Sequence, residues 1–433
     1  MDEQAQTTVE NRRKVKLWVK ITAGILAGLV GVIAILGFTF LGVWHNEISA
    51  VNSMTHLRER NNDNNEGSVY SMTVKGGFYF DEFLESGGAS NDSQLIGYIT
   101  EHITRGLIDV SISETDIGCA AFTAQSESGD KLFGRNYDFA MTNVCITLCT
   151  NPGKGRYKSF STVDLNYIGT DPNSDVDGLM NKITCLAAPY VPLDGMNEQG
   201  LSCAIFMSYQ GDVSDDPDRN TVATDQKSAD KKDITSTTML RLILDYAATV
   251  DEAVELIKQY NLHDSAKTSF HYMVADATGK SAILEWLPTD KTNAEDRDGS
   301  ERELVVIYND DDSYADWRAD SQIPYQWATN FIVYEQDEYY ENDNDAKPGY
   351  DRYEYINNSL KETGGIIKDE QAAMDILSAI GRRTWNGGGG VTVHSAVYNL
   401  TQKTVLWVAN ENYSDKTAHY AYSFETGKLT CLG

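Results

Sequence analysis

Gly118-Cys-Ala-Ala-Phe-Thr123, a turn at Ser128-Gly129-Asp130, and Phe133-Gly-Arg-Asn-Tyr-Asp-Phe139 decide how the rest of the chain is read. Two runs with strand composition flank a Ser/Gly/Asp turn, which predicts a β-hairpin with strands over Cys119–Phe122 and Lys131–Asn136. In such a hairpin Cys119 lies beside Arg135 and Asp138, near the end of the second strand. A cation close to a thiol favours the thiolate, and a carboxylate three residues from that cation can hold an amine in place. A Cys opening an apolar strand also serves as a small buried hydrophobe, and an Arg/Asp pair as a salt bridge. The hairpin alone leaves both readings open.

Outward from this hairpin the same texture repeats. Asn197-Glu-Gln-Gly200 punctuates a second hairpin returning through Ser202 to Phe206. A third spans His271 to Asp276 and Ser281 to Trp286, and a fourth Val391 to Leu400 and Thr404 to Ala409. Helical spacing runs through Thr237–Tyr260 (Met239, Leu242, Ile243, Tyr246, Ala253, Val254, Ile257) and after Asn91 (Leu95, Ile96, Ile99, Ile103, Leu107). Residues 211–233 read as a surface loop, and 289–302 and 334–348 as acidic insertions. Hairpins with helices between them imply α+β, or a layered αββα body, and not a doubly wound parallel sheet.

The quoted stretches, taken in order, resemble the linear amide C–N hydrolases of the choloylglycine hydrolase group, which includes bile salt hydrolases and penicillin V acylases. The resemblance runs over about residues 118–433. It rests on Cys119-Ala-Ala-Phe with Gly134-Arg-Asn-Tyr-Asp138, Asp194-Gly-Met-Asn-Glu-Gln-Gly-Leu201 and His271-Tyr-Met-Val-Ala-Asp-Ala-Thr-Gly-Lys-Ser281. Val305-Val-Ile-Tyr-Asn309, Asp351-Arg352-Tyr and Thr392-Val-His-Ser-Ala-Val-Tyr-Asn399 follow. It implies a four-layer αββα N-terminal-nucleophile hydrolase fold. It makes Cys119 the nucleophile, with its own α-amino group as base. Arg135 would stand beside the sulfur and Asp138 would orient the amine. The Asn197 backbone N–H and the Asn309 side chain would stabilise the oxyanion. Arg352 would complete the cluster. An internal Cys has no free α-amine, so the resemblance further implies a cut between Gly118 and Cys119.

The N-terminal part reads differently. Residues 1–20 hold five basic side chains (Arg12, Arg13, Lys14, Lys16, Lys20), and Ile21–Trp44 is an uncharged apolar run bounded by Trp18 and Trp44. At about 1.5 Å per residue it spans a hydrocarbon core of roughly 30 Å. The expectation is a short cytoplasmic tip (1–20), a single transmembrane helix (21–44) preceding the fold, a stalk and partly structured pro-segment (45–118) and an extracellular catalytic domain (119–433) at the cell membrane. Gly24 and Gly28 form a GxxxG that admits a homo-oligomer without specifying one.

With 36 Lys+Arg against 64 Asp+Glu the formal charge is −28, which argues against nucleic acid as a partner. The same charge mildly disfavours a strongly anionic substrate. Six cysteines without CxxC, and seven histidines without ligand spacing, offer no metal site, and no nucleotide or flavin motif occurs, so no cofactor is expected. With 24 Tyr and 13 Phe available to line a pocket, the expected substrate is a small-molecule amide with an apolar acyl part. Two other readings stand beside this one. One is a papain-like hydrolase using Cys119 with His271 or His394; the other is a catalytically silent binding protein of the same fold.

Overall fold

The computed structural model describes residues 44–106, 118–209, 222–288, 299–311, 323–336, 340, 342–383 and 390–433, with scattered positions before 44. Two compact units divide at Ile48/Ser49. The larger, Ser49–Gly433, is built on two sheets. In spatial order the first runs Thr55–Arg58, Val69–Lys75, Val144–Asn151, Ser159–Asp164, Asp194–Asn197, Ser202–Met207, Phe270–Ala275, Ser281–Pro288 and Arg302–Tyr308. The second runs Trp327–Ala328, Gly118–Ser126, Lys131–Phe139, Val391–Asn399, Thr404–Ala409, His419–Ser423 and Lys428–Cys431, with Ile366–Ile367 pairing beside Gly118–Ser126.

All four sequence-predicted hairpins form, each for a local reason. The first pairs Gly118 with Asp138 and Cys119 with Tyr137, and its turn is closed by Gly129 in the left-handed region and by Asp130 N–H donating to Ser126 Oγ. In the second, Asn197 Oδ1 accepts from Gln199 N and Leu201 N, holding the turn. In the third, Asp276 accepts from Thr278 N. The expected helix over Thr237–Tyr260 is instead two helices, Ser236–Tyr246 and Val250–Ile257. Thr249 caps the second by accepting from Glu252 N, and Tyr260–His263 leaves as a strand parallel to Lys232–Thr235.

The sheets stack face to face. Arg135, His394 and Tyr398 from the second reach Asp194 of the first, Tyr137 reaches Asp164, and Trp407 reaches Thr162. Helix Ser236–Tyr246 covers the first sheet, while Tyr350–Thr363 and Glu370–Ala379 cover the second. This is the four-layer α+β arrangement.

The transmembrane helix expected ahead of it is corrected. Among the described residues no helix is long and apolar enough to cross a membrane. Of 21–44 only Thr22, Ala23, Gly42 and Trp44 are described, and the helix that starts at His45 has a polar sequence, HNEISAVNS. Gly24, Gly28, Leu107, and the loop and insertion residues 211–221 and 289–298 also lie outside the described residues.

The stretch 45–66, read as a stalk, holds helix His45–Ser53 and strand Thr55–Arg58. That strand pairs with Val69–Lys75, which runs parallel to Val144–Asn151 inside the first sheet. Val69, Tyr70, Met72 and Val74 are buried there, and Phe80, Phe83, Leu95 and Ile99 join the same core. Asn91 caps helix Asp92–Tyr98 through Gln94 N, placing Leu95 inward. Residues ahead of Cys119 therefore complete the body.

Candidate active site

Cys119 is the second residue of its strand and is fully buried. Strand alternation turns its side chain toward the facing sheet, where Sγ lies 3.5 Å from Ile205 O. Arg135 lies two residues from Tyr137, which pairs with Cys119, so both side chains share one face of the hairpin. Its Nη2 donates to Cys119 Sγ at 3.0 Å and to Ile205 O at 2.6 Å. The guanidinium rests 4.4 Å over the Phe206 ring, and its Nε lies 3.5 Å from Asp194. Arg135 has no exposure, and Asp194 supplies the counter-charge such burial demands. Burial pushes the Asp194 carboxyl up, but His394, Arg135 and Tyr398 more than offset this and hold it below the ordinary range.

The electrostatics correct one sequence argument. Proximity of Arg135 was expected to favour the thiolate. Burial dominates instead and pushes the Cys119 thiol up to about 11, with Arg135 only partly opposing it. Before any cut, the sulfur is a protonated thiol at neutral pH.

On the opposite side of Cys119, Asp138 binds the Arg352 guanidinium and accepts from Thr392 Oγ1 at 2.6 Å. Arg352 Nη2 reaches Cys119 O at 3.3 Å and Asn330 Oδ1 at 3.4 Å. The Cys119 backbone nitrogen donates to Asn330 Oδ1 at 2.9 Å, and Asn330 Nδ2 donates to Met207 O at 3.0 Å. Gly118 sits against Asp138 so closely that a Cβ there would lie 2.9 Å from the carboxylate's Oδ2. Thiol, backbone nitrogen, carboxylate and two guanidinium groups thus meet around one peptide bond.

Cys119, Arg135, Asp138 and Arg352 are brought together; Asn197 and Asn309 are not. Asn197 sits in the second hairpin's turn, where its N–H donates to Leu201 O and its side chain ties down Leu244 O and Ala247 O. Asn309 follows a strand at the Gly279 end of the sheet and bonds Ser281 N and Gly279 O. That end lies about 15 Å along the strands from Phe206 and His271. Sequence reasoning missed Asn330, within Trp327-Ala-Thr-Asn-Phe331, because no pattern there marks a side chain reaching a strand more than 200 residues upstream. Neither candidate histidine serves Cys119. His271 bonds Glu285 and Thr329 O, and His394 bonds Asp194 between the Tyr137 and Trp407 rings. Among the described residues no cluster of His, Cys, Asp and Glu has the arrangement of a metal site.

The model of one protein family matches residues 119–291, beginning at the buried cysteine. It is that of the linear amide C–N hydrolases, choloylglycine hydrolase family. The family resemblance read from the sequence is thereby borne out over residues 119–291, and hydrolysis of linear amides is the chemistry the choloylglycine hydrolase match supports. Among solved structures, a mutant of the conjugated bile acid hydrolase from Clostridium perfringens is 16% identical, with a TM-score of 0.42 over 73% of this chain and 96% of that one. Penicillin V acylase from Agrobacterium tumefaciens is 15% identical, with a TM-score of 0.43 over 72% and 90%. The Caenorhabditis elegans ortholog of N-acylethanolamine-hydrolyzing acid amidase is 16% identical, with a TM-score of 0.38 over 65% and 93%. No curated protein sequence matches the chain.

Proposed function

We propose that this chain is a cysteine amidohydrolase of small-molecule linear amides, activated by cleavage of its own Gly118–Cys119 bond. The observation that carries the reading is the setting of the Cys119 nitrogen. It is an ordinary strand amide, yet it bonds the Asn330 side chain instead of a neighbouring strand, 2.9 Å away, with Arg352 and Asp138 beside it. That cluster suits a group that becomes a terminal amine.

In the cut, the Cys119 thiol adds to the Gly118 carbonyl carbon and the C–N bond breaks as the nitrogen takes up the thiol's proton. Water then hydrolyses the thioester, leaving a Gly118 carboxylate, a free thiol and an α-amine. In turnover that amine takes the thiol's proton, sulfur attacks the substrate's amide carbonyl, and the proton passes to the departing amine before water releases the acid. Arg135 stabilises the sulfur's charge, Asp138 orients the amine, and Arg352 holds Asp138 and the Cys119 carbonyl.

The test is the N-terminal sequence and intact mass of the wild type beside Cys119→Ala, followed by a panel of amides differing in acyl chain. A new terminus at Cys119 in the wild type alone, with acyl release from the panel, is expected. Both chains remaining whole while folded would end the free-amine mechanism and favour a silent relative.

A further inference from the structure

His271 stands across from Phe206, the residue whose ring carries Arg135. It pairs across the sheet with Glu285, and both are fully buried. Its Nδ1 lies 3.0 Å from Glu285 Oε1 and its Nε2 2.8 Å from Thr329 O. A carbonyl oxygen only accepts, and so does a carboxylate. A neutral imidazole has one N–H, so the two contacts are both hydrogen bonds only when both ring nitrogens carry protons. Glu285 also accepts from Val333 N at 2.8 Å and Tyr334 N at 3.0 Å, a donor set that suits the ionised carboxylate and leaves the extra proton on the ring. The two side chains therefore grip the segment from Thr329 to Tyr334 at both ends. Between the grips is Asn330, whose Oδ1 takes the Cys119 N–H.

We propose that the buried His271–Glu285 pair is a proton-holding clamp that sets Asn330 against the Cys119 nitrogen. The inference rests on the reading of Cys119 as a nucleophile with an essential amine. Both residues are positioning residues, since neither touches the reacting atoms. Without the clamp's proton a ring lone pair would face either the Thr329 carbonyl or the Glu285 carboxylate, with both pairs of atoms buried. The grip on Thr329–Asn330 then relaxes, and the nucleophile's nitrogen loses its partner. The groups around the pair that bear on its charge are Arg135, on the other side of the Phe206 ring that packs edge-on to His271 at 5.2 Å, and Tyr334 in the gripped segment. Strand Ser202–Met207 otherwise presents the Phe206 ring.

Two measurements on the full chain decide it. In ring-15N-histidine NMR of uncut Cys119→Ala protein, the resonances absent from a Cys119→Ala/His271→Gln double variant belong to His271. At pH 7 they should report two protonated ring nitrogens, and a single N–H would overturn the clamp. The second is the rate of the Gly118–Cys119 cut in three chains. His271→Gln places its amide near Nε2, keeps a donor on Thr329 O and carries no titrating proton. His271→Asn places its amide near Nδ1 and cannot reach that carbonyl. The Gln variant should cut within about threefold of wild type near pH 6.5. The Asn variant should be at least tenfold slower than Gln at pH 6.5. Equal rates for Asn and Gln would overturn the proposal. If no chain is cut, the amidohydrolase reading fails, while the NMR result still decides the proton.

Discussion

Replacing Gly118 with alanine isolates the contact between Asp138 and the residue ahead of the proposed cut. The backbone at 118 does not lie in the left-handed region, so alanine carries no conformational penalty there. The added methyl would stand 2.9 Å from both Cβ and Oδ2 of Asp138 and 3.4 Å from Cγ. Ordinary carbon–oxygen contact is nearer 3.4 Å, so one of the two must yield by about half an ångström. Asp138 is not free to do so, because Arg352 and Thr392 Oγ1 hold its two oxygens. Stretching one charge-assisted hydrogen bond costs about 1–3 kcal/mol. The same displacement moves the carboxylate from the nitrogen it is to receive. Cutting should slow about tenfold, since 1.4 kcal/mol of barrier is a factor of ten. Urea unfolding of Gly118→Ala on the uncut Cys119→Ala background measures the stability term, and timed intact-mass analysis of Gly118→Ala alone measures cutting. Once cut, residue 118 no longer belongs to the Cys119 chain, so mature Gly118→Ala should match wild type in kcat/KM. Wild-type stability together with wild-type cutting would refute the argument that Asp138 is pinned against residue 118.

Three further outcomes are expected. After the cut, the chain ending at Gly118 should co-elute with the chain beginning at Cys119 under native conditions and separate in denaturant. Val69, Tyr70, Met72, Phe80, Phe83, Leu95 and Ile99 are fully buried, and at roughly 1.5–3 kcal/mol each they supply on the order of 10–20 kcal/mol before ordering costs. Loss of the N-terminal chain in size-exclusion chromatography would contradict this. Asp138→Ala strands the buried Arg352 guanidinium and should destabilise the fold by about 3–5 kcal/mol, read by urea unfolding, whereas Asp138→Ala/Arg352→Met should recover a large part of it. Burial raises the Asp164 carboxyl from 3.8 to about 6, so between those values the folded state holds a proton that the unfolded chain has released. Its stabilisation is full below about pH 4 and is lost as pH climbs through 6, on the order of 3 kcal/mol. Asp264, also raised to about 6 by burial, adds in the same direction. Asp164→Asn should flatten the wild-type fall in unfolding free energy between pH 4 and 7, and parallel curves would exclude Asp164 as a source.

The uncut arrangement also gives a reason for the proposed activation. With Sγ buried and its thiol pushed up to about 11, the sulfur of the uncut chain is a poor nucleophile. An amine released at residue 119 would bring a base to within one residue's reach of that sulfur.

What could be read from the sequence was whatever local chemistry encodes. The four hairpins were legible because turn residues, among them Gly129, Gly200 and Gly279 in left-handed conformations, punctuate strand-forming runs. The Cys119, Arg135 and Asp138 cluster was legible because a hairpin's register converts spacing into proximity. Apolar content over 21–44 was equally plain, yet hydropathy describes a segment's composition alone, and among the described residues no helix is long and apolar enough to cross a membrane. Only the tertiary structure could assign Asn330, whose partner Cys119 lies far upstream, and the contacts of His271 with Thr329 and of Glu285 with Val333, since these join segments distant in sequence. It alone moved Asn197 and Asn309 away from the site, because a side chain's end of a strand depends on which neighbours that strand pairs with. The thiol followed the same logic. Its spacing from Arg135 is a sequence property, while the burial that outweighs Arg135 exists only once two sheets close over it.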